Sequence, residues 1–342
     1  MRLKTHHPKY LSALAFKIRE ENQTMFFSSV LRRSSHILIA LGVLLIFVST
    51  AAAQNSDEGE KFNREVISLY KMGKYQDALM PAKKAVEIRE KELGAAHPNL
   101  AVSLNNLALV HATLGNYNEA RPLYRRSLEI IEKTLGPEHL KVAISLDNQG
   151  LLYSYLGEFQ NAETLHRHAL DLREKKLGPF HPNIAISSNL LSGLYSAQRE
   201  YKKAEPWEIR SLEISERTLG ANHPNVAASL NNLALLYATM GEYNLAVPLY
   251  RRAVLISEKT LGPNHPNIAI ALNNLADMYE KLGEYSKAQP LYAKALEIGE
   301  KNYEDKYHPT RLASSNSLDR VRSKIQIIKE TFSKQVKIQS VK

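Results

Sequence analysis

Apolar residues recur along most of the chain at the spacing of one helix face, and they do so in pairs of segments. Apolar positions in residues 98–114 follow the i, i+3, i+4, i+7 rule, and residues 117–135 carry a second such face. Gly115 and Gly136 follow the two segments, where a left-handed residue commonly ends a helix. The pattern therefore predicts two helices joined by a short turn. The first face consists of Leu104, Leu107, Ala108 and His111.

This helix pair recurs every 42 residues. Histidines, a Leu-Gly dipeptide and an alanine of the second helix all keep that step. One pair cannot bury its own apolar surface, so consecutive pairs must stack. The sequence therefore predicts an all-α solenoid of antiparallel pairs over 57–303, followed by a capping helix and a basic tail over 304–342. The six predicted repeats are 57–94, 98–136, 140–178, 182–220, 224–262 and 266–303.

The net positive charge is concentrated at the two ends of the chain. The net charge is +10, of which residues 1–35 carry +5 and residues 301–342 carry +6, so that 36–300 is close to neutral at −1. A nucleic-acid-binding protein would need a basic face on its folded part, and no such face is predicted. The absence of cysteine excludes disulfides, thiol catalysis and cysteine-ligated metals.

The N-terminal 53 residues are predicted to be a targeting segment. Twelve uncharged apolar residues, 37–48, follow two arginines and precede the small residues of a cleavage site. Cleavage near Ala53 would export the protein to the periplasm or the extracellular space. The alternative is a membrane anchor formed by 37–53, although a span needs about 20 apolar residues. The long lead before this segment suggests Met25 as the true start.

The repeats resemble tetratricopeptide repeats of the kinesin light chain type. The resemblance is carried by "HPNLAVSLNNLALVHATLGNYNEARPLYRRSLEIIEKTLGPEH" at 97–139 and by a close copy at 223–265. It implies a right-handed superhelix whose concave groove, lined by the first helices, binds extended peptides or partner proteins. The long coiled coil of a kinesin light chain is missing here, so the motor-adaptor function is not expected.

Polar residues at the centre of the first helices are the candidate site. Asn is roughly 0.5–0.7 kcal/mol worse than Ala inside a helix, yet amides recur at the same place in successive repeats. They share one stripe with apolar neighbours, which we call the ladder face. Its predicted amides and acids are Asn105, Asn106, Asp147, Asn148, Asn189, Asn231, Asn232, Asn273, Asn274 and Asp277. Its predicted apolar members are Val102, Leu109, Ile144, Leu151, Ile186 and Leu235.

A carboxamide both donates and accepts hydrogen bonds, so the ladder face can pair with the backbone of an extended ligand. Two alternatives remain: the amides bond to the neighbouring repeat and fix the stacking angle, or duplication copied them without a role. Leu190, Gly193 and Arg199 replace Asn, Leu and Gly in the fourth repeat, which predicts a changed groove or a bend there. Asp277, Glu280 and Lys281 make the sixth-repeat end charged, so it could recognise a charged group.

No residue grouping indicates catalysis. The periodic histidines are predicted to cap helices, because positions one repeat apart lie about 9–10 Å or more apart and cannot share one zinc ion. Charges on the second helices, such as Arg126 and Arg252, are predicted to form a solvated face through i, i+3 and i, i+4 pairs. No inserted loop interrupts the repeats, so we expect neither enzyme activity nor a metal or cofactor.

The sequence favours a non-catalytic scaffold that binds an extended segment of a protein or peptide in its groove. The alternative is a structural or assembly component of an envelope-associated complex that uses the convex or terminal surfaces. No nucleic-acid partner is expected, and membrane contact would be confined to an uncleaved signal segment or the basic tail. The identity of the partner and the oligomeric state stay open.

Overall fold

A computed structural model describes residues 58–305 and 308–339, which form thirteen helices and no strand. The predicted signal segment, with its start at Met25 and cleavage near Ala53, lies outside the described residues. None of the described helices is both long and apolar enough to cross a lipid bilayer. The helices are α1 (Glu58–Lys71), α2 (Leu79–Leu93), α3 (Pro98–Thr113), α4 (Tyr117–Leu135), α5 (Leu140–Tyr155), α6 (Phe159–Leu177), α7 (Pro182–Ala197), α8 (Tyr201–Leu219), α9 (Pro224–Met240), α10 (Tyr243–Leu261), α11 (Pro266–Lys281), α12 (Tyr285–Asn302) and α13 (Pro309–Gln339).

The first twelve helices pack as consecutive pairs, which confirms the predicted all-α repeat fold. The described residues up to Leu172 form one compact unit and those from Arg173 onward form a second. Alanines lie in the contact between paired helices, where Ala108 and Ala120 are both fully buried in one apolar cluster. Small side chains at this contact allow larger neighbours to fill the grooves on either side.

After α1, the first helix of each repeat and the final helix α13 begin in the same way, on a histidine. The imidazole Nδ1 accepts a hydrogen bond of 3.1–3.3 Å from the backbone N–H two residues later, which confirms the predicted capping role. The capping residues are His97, His139, His181, His223, His265 and His308. The imidazoles are therefore occupied with backbone groups.

Residues with a positive φ lie between successive helices from α1 to α12, and one of them is not glycine. Gly115, between α3 and α4, has a φ of 81°. Arg199 stands at the corresponding place between α7 and α8 and keeps a φ of 61°. The backbone of the fourth repeat thus turns as the others do, although a side chain disfavours this conformation.

Helix α13 follows the sixth pair as the first half of another repeat. His308 caps it, and its Leu318 and Val321 are buried against the preceding pair. Asp319 and Arg322, which lie elsewhere on the helix, are exposed. A polar outer surface of this kind closes a stack of repeats towards solvent.

Candidate functional site

In the unit that ends at Leu172, the amides of the ladder face bond to one another between repeats. Asn106 Nδ2 donates to Asn63 Oδ1 at 3.1 Å, and Asn148 Nδ2 donates to Asn105 Oδ1 at 2.9 Å. Asn105 and Asn106 are only 4% and 2% exposed, and Leu109 is also buried. Val102, Ile144, Asn148 and Leu151 are half-buried. The amides here hold neighbouring first helices together, as the stacking alternative describes.

Asn63 is a member of this ladder that the sequence reasoning missed. Its Oδ1 accepts from Asn106, and its Nδ2 donates to Ser103 Oγ at 2.9 Å. Asn63 stands 42 residues before Asn105. The repeat period alone could therefore have identified it.

Asp147 points inward and therefore does not act as a member of the amide ladder. Its Oδ1 lies 2.8 Å from His166 Nδ1, and both side chains are buried. Gly150 makes room for this pair, because a Cβ at that position would lie 2.7 Å from the His166 Cε1. His166 replaces the tyrosine that other repeats carry, so the third repeat has a polar core contact of its own.

In the unit that begins at Arg173, the ladder amides of neighbouring repeats do not hydrogen-bond to one another. Asn189, Asn231, Asn232, Asn273 and Asn274 are half-buried, as are the neighbouring Ile186 and Leu235. The acceptors Asn189 Oδ1 and Asn231 Oδ1 are buried and lack a hydrogen-bond partner. Asn232 and Asn274 correspond to the donors Asn106 and Asn148, yet they make no hydrogen bond to the described part of the chain.

The sixth-repeat end of the ladder face is charged, as predicted, but its acidic Glu280 is paired with basic side chains of α13. Arg320 donates two hydrogen bonds of 2.8 Å to the Glu280 carboxylate, and Lys324 donates a third at 2.9 Å. The Tyr292 hydroxyl donates to Asp277 and, at 3.0 Å, to Glu280.

Burial opposes ionisation of both carboxyl groups in this network, and it raises the pKa of Asp277. At Glu280 the hydrogen bonds from Arg320 and Lys324 outweigh burial and bring its pKa to about 2. The carboxylate of Glu280 is thus held in a charge-assisted contact within the chain.

Successive second helices are joined by ion pairs that the sequence reasoning did not foresee. Each pair links a glutamate to a basic residue 36 positions later, in the next repeat. The pairs are Glu90–Arg126, Glu174–Arg210, Glu216–Arg252 and Glu258–Lys294. Glu132 and His168 stand at the corresponding positions of the remaining seam. Except for Lys294 these side chains are half-buried, and the four pairs connect repeats instead of the turns of one helix that were predicted.

The described residues contain no group of three or more histidine, aspartate or glutamate side chains that could hold a metal ion. The His166–Asp147 pair is fully enclosed, with its Nε2 buried and without a hydrogen-bond partner. In the unit that begins at Arg173, half-exposed polar groups recur both on the ladder face and in the ion pairs between second helices.

Comparison with known proteins agrees with this architecture. A family model described as tetratricopeptide repeat matches residues 62–133, 100–175, 153–216, 209–254 and 225–301. The crystal structure of BtubC (BKLC) from P. vanneervenii is similar at 20% identity, covering 72% of this chain and 94% of that one, with a TM-score of 0.56. The crystal structure of a putative kinesin light chain with nearly identical TPR-like repeats, from Podosopora anserina, is similar at 29% identity. That match covers 61% of this chain and 99% of that one, with a TM-score of 0.54. A search of curated proteins gives no match.

Proposed function

Because this chain belongs to the tetratricopeptide repeat family, whose members generally act as protein-interaction scaffolds, we propose that it binds an extended segment of a partner protein without catalysing a reaction. The ligand backbone pairs with the ladder face of α7, α9 and α11. These three helices belong to the same compact unit. The amides of the preceding unit serve chiefly to hold its repeats together.

The observation that carries this proposal is the open state of Asn232 and Asn274. In the preceding unit the corresponding amides are used up by the neighbouring repeat. Here the donors are half-exposed and free, while two acceptors beside them are buried without a partner. A buried acceptor without a hydrogen bond costs roughly 1–3 kcal/mol. The free Nδ2 groups, which are half-exposed, would donate hydrogen bonds to ligand carbonyl oxygens.

Peptides selected from a random-sequence display library on the full chain provide the ligand for a quantitative test. We expect the Asn232→Ala/Asn274→Ala variant to bind them at least about 10-fold more weakly, since two hydrogen bonds of about 1 kcal/mol each are lost. Fluorescence polarisation measures the affinity, and circular dichroism checks the fold. Asn244→Ala is the matched control, because this amide is exposed on a second helix.

Two results would separate recognition from stacking. Unchanged affinity in Asn232→Ala/Asn274→Ala would refute the proposed ladder contact. Asn106→Ala should instead lower the free energy of unfolding and leave the affinity unchanged, because it strands the buried Oδ1 of Asn63. Peptides that bind all of these variants equally would favour the alternative in which convex or terminal surfaces assemble the protein into a larger complex.

We also propose that the protein acts outside the cytosol, after cleavage near Ala53. The proposal rests on the basic, apolar and small-residue order of the N-terminal sequence. N-terminal sequencing of the native protein tests it, and Gln54 is the expected first residue. A native chain that retains 37–53 in a membrane fraction would support the anchor, and an intact Met1 in the cytosol would refute export.

A further inference from the structure

The interior of the fourth repeat, residues 182–220, is more polar than that of its neighbours. Ser188 is fully buried at the position where the second, third, fifth and sixth repeats carry Leu104, Leu146, Leu230 and Leu272. Glu208 is 6% exposed at the position where the second, fifth and sixth repeats carry Tyr124, Tyr250 and Tyr292. Two large apolar contacts of the core are thus replaced by a small hydroxyl and a carboxyl group.

These polar groups are poorly satisfied. Of the buried side-chain atoms that lack a hydrogen-bond partner in the described part of the chain, four belong to this one repeat. The four atoms are Ser188 Oγ, Asn189 Oδ1, Glu208 Oε2 and Ser211 Oγ. Burying a polar atom without a partner costs free energy that an apolar side chain does not cost. Their concentration therefore lowers the stability of this repeat in particular.

The fifth repeat, residues 224–262, shows what the fourth repeat lacks. Its Leu230, Ala234 and Tyr250 are buried, and Leu230 and Tyr250 belong to its apolar clusters. The corresponding residues of the fourth repeat are Ser188, Ser192 and Glu208. Replacing leucine by serine removes apolar surface and dispersion contacts from the core. Both repeats lie in the unit that begins at Arg173.

We infer that the fourth repeat is a built-in opening point of the array, which unfolds locally and reversibly before the other internal repeats. In a stack of repeats, stability is the sum of each repeat's own stability and its contacts with its neighbours. A repeat with a weakened interior therefore opens at a lower free energy than its neighbours. Because α7 carries Asn189 of the ladder face, opening would remove one rung of that face. The inference itself concerns the free protein and does not depend on the proposed ligand.

Hydrogen exchange of the full chain, followed by mass spectrometry, tests this inference. We expect amides of α7 and α8 to exchange at least about 10-fold faster than the corresponding amides of α9 and α10, in the regime where exchange reports opening equilibria. The variant Ser188→Leu/Ser192→Ala/Glu208→Tyr gives the fourth repeat the residues of the fifth. It should slow exchange in α7 and α8 by at least about 10-fold, with little change in α3 and α4.

Equal protection of the fourth and fifth repeats in the unmodified chain would overturn the inference. A variant that slows exchange equally in every helix would also overturn it, because the effect would then be global. If the triple variant fails to fold, Glu208→Gln alone replaces it. That change keeps the shape of the side chain, removes the charge, and should still slow exchange selectively in α7 and α8.

Discussion

The pH dependence of the fourth repeat follows from one buried acid, Glu208. Burial raises its pKa from 4.5 to about 7, and a hydrogen bond with Ser192 opposes the shift only in part. Between those two pH values the folded state binds more protons at this site than the unfolded state does. The free energy of unfolding must therefore fall as the pH rises from 4.5 through 7, with the full loss reached above 7.

The size of the effect follows from the same shift. At about 1.36 kcal/mol for each pKa unit, the loss is roughly 3 kcal/mol. The glutamine of the Glu208→Gln variant cannot ionise, so the variant does not lose this free energy of unfolding as the pH rises. We expect the variant to be more stable than the unmodified protein by roughly 2–3 kcal/mol at pH 8.5 and nearly equal to it at pH 4.5.

The chain offers a local probe for this measurement. Trp207, which precedes Glu208 in the chain, is the single tryptophan, and it packs against the apolar cluster of Tyr195, Ala204 and Leu236. Urea titrations followed by its fluorescence therefore report on the fourth repeat. Glu213→Gln is the control, because Glu213 is exposed on the same helix. A difference between Glu208→Gln and the unmodified chain that does not change between pH 4.5 and 8.5 would refute the reasoning.

Three further changes test other contacts by urea denaturation. Arg199→Gly should stabilise the protein by about 1 kcal/mol because it relieves the positive φ; a loss of stability would contradict this. His168→Arg should add an ion pair with Glu132 and gain a few tenths of a kcal/mol, a gain that must vanish in 1 M salt. Gly150→Ala should cost roughly 1–3 kcal/mol through contact with His166. Adding His166→Ala should remove most of that cost, and strictly additive effects would show that the two sites do not interact.

The helix pairs and their ends could be predicted from sequence because their causes are local. The apolar spacing defines each helix face. A histidine such as His223 caps its helix by accepting a hydrogen bond from the backbone N–H only two positions further on. Glycine at a position such as Gly115 ends a helix whatever the neighbouring repeat contains. Interactions between residues that are only a few positions apart can therefore be predicted from the sequence alone.

The solvent exposure of the ladder-face amides could not be predicted in the same way. The sequence places Asn106 and Asn274 at corresponding positions, yet one is buried and bonded and the other is half-exposed and free. Their difference depends on how closely adjacent first helices approach, which side chains of two repeats decide together. The contact of Arg320 with Glu280 likewise joins residues 40 positions apart.

The contact at the end of the array also bears on how the length of such a protein can change. Ser314 of α13 bonds to Asn273 as Ser103 of α3 bonds to Asn63, and Arg320 and Lys324 of α13 bond to Glu280 of the sixth pair, so the sixth pair supplies the contacts of the last helix. Whole units of 42 residues can therefore be gained or lost in the interior while the terminus keeps its partner. Unequal recombination between copies that share the 42-residue period would then yield folded proteins that differ in the number of ladder-face amides they offer.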